Sequence, residues 1–135
     1  MKKDKEKKKK RGKRPEPLDS AEKIQIGIAT GEPAADPLQY ALTAVGGKWK
    51  LRILWALRGG ASLRYGEIKQ QIPLITDMML SQSLRELTAS ELIARQQFQQ
   101  IPPKVEYRIT PAGAELIPAV ELLCAWALKQ TKGEK

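Results

Sequence analysis

The stretch Thr76-Asp77-Met78-Met79-Leu80-Ser81-Gln82-Ser83-Leu84-Arg85-Glu86-Leu87 decides the fold. Thr76 suits an N-cap, because its hydroxyl can accept a backbone N–H that the first helical turn leaves without a partner. Leu80, Leu84 and Leu87, helped by Met79, recur at the spacing of one helical face. Met78, Ser81, Gln82 and Arg85 fall on the opposite face. The helix is expected to run from Asp77 to about Ser90. Ahead of it, Tyr65 to Ile72 suits a short helix that turns Ile68 and Ile72 inward, and Pro73 prevents its extension. Two helices in tandem, the second with a small polar outer face, make a helix-turn-helix pattern.

Upstream, Asp36-Pro37 is a cap followed by proline at the first helical position. Leu38, Leu42 and Val45 share a face, and Gly46-Gly47 ends that helix. A second helix begins at Lys48. Trp49, Ile53 and Leu57, widened by Leu51, Leu54 and Trp55, give it an apolar face broad enough for a central position, and Gly59-Gly60 ends it. Ala61 to Arg64 reads as a short strand. Downstream, Leu92–Phe98 and Val105–Ile109 read as two strands joined by the loop 99–104, which Pro102 and Pro103 stiffen. Thr110-Pro111 opens a final helix, with Leu116, Val120, Leu123 and Ala127 on one stripe and Ile117, Cys124 and Leu128 on a second. Pro118 should kink it.

The 24 basic and 15 acidic residues are unevenly spread. Residues 1–14 hold ten of the basic and two of the acidic ones, so this tail carries +8 of the net +9 and the remainder is nearly neutral. Residues 1–17 are expected to be a disordered Lys-rich tail, since like charges repel and nothing there can bury apolar surface. Residues 18–35, where Ile24, Ile26 and Ile28 alternate with Gln25 and Gly27, form a linker or an extended arm. Residues 36–131 form the domain.

No histidine and a single cysteine, Cys124, leave no Ser–His or Cys–His dyad, no histidine metal ligand and no intrachain disulfide. An enzyme is not expected, nor a metal or other cofactor. No uncharged run reaches the roughly 18 residues of a membrane span. A cytosolic protein without a membrane partner is the expectation. Cys124, on an apolar stripe, should be a buried and inert thiol.

The succession helix, helix, short strand, helix, helix, hairpin, helix is a winged helix-turn-helix, mainly α with a small β-hairpin wing. Four runs then resemble the HxlR-type bacterial transcription regulators, a MarR-like group: Gly46-Gly47-Lys48-Trp49; Arg64-Tyr65-Gly66-Glu67-Ile68; Leu80 to Leu87; and Ile101-Pro102-Pro103-Lys104-Val105-Glu106-Tyr107-Arg108-Ile109-Thr110-Pro111-Ala112-Gly113. The resemblance covers about residues 36–128 in unbroken order. It implies a homodimer built from the first and last helices, with Leu38, Leu42, Leu116, Val120, Leu123 and Ala127 at the interface. It also implies binding to an operator in double-stranded DNA, and a cytoplasmic place at the nucleoid. A small-molecule effector stays open. The family often has a cysteine where Asp36 stands here, and basic residues where Met78 and Ser83 stand.

Within this pattern Met78, Ser81, Gln82 and Arg85 are the candidate base-reading residues. Gln pairs with adenine, Arg with guanine or a phosphate, Ser with either, and the Met side chain can meet a thymine methyl. Lys104 on the wing, with Arg95 and Arg108 beside it, and Arg64 are candidate phosphate contacts. The alternatives are an ordinary solvated face for Ser81, Gln82, Arg85 and Arg64, plain packing for Met78, and for Arg108 a pairing with Glu106 or a solvated strand face. The tail can add sequence-independent DNA affinity by counterion release. Rival functions are a winged-helix protein–protein adaptor, which the near-neutral domain charge keeps open, and a basic RNA- or ribosome-associated protein led by its tail.

Overall fold

A computed structural model describes residues 36–132. The expected tail at 1–17 and arm at 18–35 lie outside the described residues. The chain divides at Tyr40–Ala41 into two units. The first is described from Asp36, whose Oδ1 accepts the Gln39 N–H at 3.1 Å. Asp36 thus caps α1 (Pro37–Val45), which continues into the second unit.

In the second unit follow α2 (Lys50–Ala56), β1 (Leu63–Arg64), α3 (Tyr65–Gln71), α4 (Asp77–Ala89), β2 (Ile93–Phe98), β3 (Lys104–Ile109), α5 (Pro111–Ala114) and α6 (Ile117–Thr131). Gly47, at φ +99°, lies in the left-handed region that reverses the chain between α1 and α2. α2 starts two residues later than expected. Thr76 caps α4 through an N–H···O bond from Met79 at 3.1 Å. Ile53, Leu54 and Leu57 from α2 and its C-cap, Ile68 and Ile72 around α3, and Leu80, Leu84 and Leu87 from α4 form one core with Leu92, Ile93 and Ile109. Burial of each such side chain contributes roughly 1.5–3 kcal/mol. Met79, expected to help that core, is instead exposed at its edge, where the Trp49 Nε1–H donates to its sulfur.

The strands form an antiparallel sheet in the order β1-β3-β2. Ile93, Arg95 and Gln97 stand opposite Ile109, Tyr107 and Val105, and Ala94, Gln96 and Phe98 opposite Arg108, Glu106 and Lys104. Arg64 stands opposite Glu106 on the other side of β3.

The final helix is broken where a kink was expected. α5 ends at Ala114, four residues before Pro118, whose ring would clash with the Ala114 carbonyl and which has no N–H to offer it. Pro118 then sits in the first turn of α6, where a missing N–H costs nothing. By length and composition the stretch Pro111–Thr131 would suffice to cross a membrane (mean hydropathy 1.3), although no uncharged run within it reaches that length. Glu115, Pro118 and Glu121 interrupt it.

Gly113 sets α5 against the backbone of Leu92, just before β2, and against the Ile109 side chain of β3. A Cβ there would lie 2.2 Å from the Leu92 carbonyl oxygen and 2.8 Å from Ile109 Cγ1. Gly113→Ala should therefore destabilise the domain by about 1–3 kcal/mol or more, seen as an earlier urea midpoint. An unchanged midpoint would mean that α5 does not seat against Leu92 as described.

Candidate nucleic-acid interface

With Leu80, Leu84 and Leu87 fixed in the core, the helical repeat leaves the opposite side of α4 to solvent. Met78 is 76% exposed there, and Gln82 and Arg85 are exposed beside it. Ser81 is half-buried, with its hydroxyl 3.4 Å from that of Tyr65. Ser83 is buried among the leucines. Its side chain points away from the outer face, so a small residue suits the position whatever the outer face does.

Two carboxylates on α4 are engaged by neighbouring helices, and neither had been singled out from the sequence. At the start, Asp77 Oδ1 accepts from Lys69 Nζ at 2.8 Å and from the Tyr65 hydroxyl at 2.9 Å. The hydrogen bond from Lys69 is the main reason that the Asp77 carboxyl is held below its usual range, and the same bond raises Lys69. Farther along, Glu86 Oε2 accepts from Gln82 Nε2 at 3.0 Å. Glu86 Oε1 lies 2.9 Å from Lys50 Nζ. Lys50, 11% exposed, also donates to the Thr43 carbonyl at 3.3 Å. The Gln82 bond, and then Lys50, lower the Glu86 carboxyl. The i, i+4 spacing of Gln82 and Glu86 is a sequence signal for that bond; the Lys50 contact has none.

The strand register splits the expected wing cations between two faces. Arg95 shares a face with Tyr107 and Ile109, on the side of α4. There Arg85 and Arg95 line one pocket of about 280 Å³ with Tyr65, Ser81 and Tyr107. Neither arginine forms an ion pair among the described residues. Lys104, Arg108 and Arg64 belong to the other face, around Glu106. Lys104 is partly buried there, 3.5 Å from Glu106 Oε2 and stacked over the Phe98 ring at 4.6 Å. It is not the free wing cation that its loop position implied.

The residues expected at a dimer interface also separate. Leu38, Leu42 and Leu123 are exposed, the last at 53%, and Leu116 and Ala127 are half-buried. Val120 is only 7% exposed and is thus covered by its own chain. It lines a pocket of about 460 Å³ with Lys48, Arg52, Trp55 and Cys124. Leu122 and Trp126 (61% exposed) extend the bare apolar face of α6 beyond Leu123, and Leu128 is bare on another side of the helix. Cys124, expected to be buried, is exposed on this helix. Its stripe is apolar and it lines the same pocket as Val120, but the described residues leave it open to solvent, so burial gives no ground for calling the thiol inert. Among the described residues no group of His, Cys, Asp and Glu could hold a metal ion.

Comparison with known proteins gives this geometry a family. The model of the HxlR-like helix-turn-helix family matches residues 44–135. The HTH-type transcriptional regulator YdzF of Bacillus subtilis is 43% identical over 94 residues, covering 70% of this chain and 86% of that protein. An HTH-type transcriptional regulator of Methanothermobacter thermautotrophicus is 41% identical over 103 residues, covering 73% and 78%. The solved structure of the redox regulator HypR in its oxidized form superposes with a TM-score of 0.64 at 35% identity, covering 69% of this chain and 95% of that one.

The Asp77 cluster gives a pH test with a definite sign. A carboxyl depressed in the folded state stabilises the fold above its unfolded value of about 4, and that contribution is lost as pH falls through the folded value. Asp77→Asn should melt earlier than wild type at pH 7, and the gap should close below about pH 4. A gap unchanged at low pH would mean that the charge of Asp77 is not what holds Lys69 and Tyr65.

Proposed function

Since the chain belongs to the HxlR-like helix-turn-helix family, whose members regulate transcription and are not enzymes, we propose that it binds an operator in double-stranded DNA as a homodimer. The observation that carries this reading is α4 itself: its inner face is locked in the core while Met78, Gln82 and Arg85 stand bare on the outside. A helix so mounted enters the major groove, and its outer side chains meet base edges. Ser81 and Arg85 lie toward the wing, Met78 and Gln82 toward the start of α2.

Backbone phosphates supply the remaining affinity. The pocket between Arg85 and Arg95 brings to one place two guanidinium groups that have no acidic partner among the described residues, and a phosphate satisfies both. Arg64, Arg108 and Lys104 act from the outer sheet face, Lys104 only after giving up Glu106. The Lys-rich tail adds sequence-independent attraction. Two such domains joined through the bare face of α6 present their α4 helices to successive major grooves, about 34 Å apart. Bound near a promoter, the dimer blocks or redirects polymerase, in the cytoplasm at the nucleoid.

Base contact and phosphate contact have different signatures. Gln82→Ala should cost about 1–3 kcal/mol on an operator selected from random DNA and little on unrelated DNA. Arg95→Ala should weaken both about equally and lower the salt slope by about one unit. Equal losses on both DNAs for Gln82→Ala would contradict major-groove docking of α4.

Pairing through α6 is tested by Leu123→Asp rather than by Val120→Asp, because Val120 belongs to the protomer's own interior. Leu123→Asp should sediment as a folded monomer where wild type is a dimer. A wild-type monomer at micromolar concentration would overturn the pairing.

A further inference from the structure

Gln82 does not project from α4 as a free amide. Its Nε2 donates to Glu86 Oε2 at 3.0 Å. A carboxylate only accepts hydrogen bonds, so this contact fixes which end of the amide faces Glu86. Rotating the amide by half a turn would set Oε1 against a carboxylate oxygen. Glu86 is itself held, by Lys50 Nζ at 2.9 Å on its other oxygen. Lys50 in turn is nearly buried and bonded to the Thr43 carbonyl at 3.3 Å. A chain of three contacts therefore runs from the backbone of α1 through α2 to the amide of Gln82.

We propose that Glu86 is a positioning residue for Gln82, and that through it the protein reads adenine at the base that Gln82 meets. The inference rests on the major-groove reading of α4 given above. With one N–H committed to Glu86, the amide retains its other N–H and Oε1 side by side. That is one donor beside one acceptor. The major-groove edge of adenine offers the complement, an acceptor at N7 and a donor at N6. Guanine offers acceptors at both N7 and O6, and the held Oε1 would meet one of them with no hydrogen between. A free glutamine can turn both N–H groups toward guanine; the held one has a single N–H to give and sets its oxygen against the second acceptor. Both oxygens of Glu86 are engaged within the protomer, which fixes the carboxylate against Gln82.

The test uses the full-length protein and duplexes from random-sequence selection. Gln82→Ala first identifies the base pair that this residue reads, as the one position whose preference it removes. At that position wild type should prefer adenine over guanine by about tenfold. Glu86→Ala should cut the ratio to about twofold or less while preferences elsewhere in the operator stay unchanged. Lys50→Met, which leaves Glu86 in place without its anchor, should give an intermediate ratio. Circular dichroism melts establish that each variant is folded. An unchanged ratio in Glu86→Ala, or preferences lost equally at every position, overturns the positioning role. A base other than adenine at the mapped position overturns the proposal and leaves the docking of α4 standing. If Gln82→Ala alters no position, the docking itself fails and the proposal with it.

Discussion

The burial of Leu80, Leu84 and Leu87 is the constraint on which the rest of the structure depends. Three leucines on one side of a 13-residue helix fix its rotation about its own axis, because turning it would bring at least one of them into water. Once the rotation is set, the identity of every outward residue follows. The cap at Thr76 then fixes where the helix begins, and the contacts of Lys69 with Asp77 and of Lys50 with Glu86 tie both halves of it to the preceding helices. The outer face is thus presented on a mounting with little freedom to roll, and directional contact to base edges requires such a mounting.

How far this was legible in the sequence depended on the range of the interaction involved. Local rules located α3, α4 and the two strands within a residue or two, because caps and prolines mark their ends. The Asp36 cap and the outer position of Met78, Gln82 and Arg85 followed from the same rules. What failed needed contacts between distant segments. The separation of Arg95 from Lys104 depends on strand register, which no single strand reveals. Val120 and Cys124 lie on adjacent stripes of one helix and line one pocket beside α2, yet the first is buried and the second exposed. Met79 has helical spacing for the core but sits at its rim. Pro118 was recognised as disruptive. That it starts a new helix rather than bending an old one follows from α5 ending at Ala114, beside the seat of Gly113 on Leu92.

The charges show a division that the net value conceals. Among the described residues, the acidic groups of α4 are spent on Lys69, Tyr65, Lys50 and Gln82. Arg85 and Arg95 are left without acidic partners. A nearly neutral domain can therefore offer local positive potential at one concave place, and it is this local arrangement that bears on nucleic-acid binding.

The bare apolar side of α6 has a consequence for dose. If two protomers must join through Leu122, Leu123 and Trp126 before either holds DNA firmly, the active species at low abundance grows with the square of protomer concentration rather than in proportion to it. A gene under such control responds sluggishly to the first few copies and sharply thereafter. The steepness of that response is then set by the fit of one helix against its twin, far from any base pair, and single substitutions along α6 can retune the threshold without touching the choice of target.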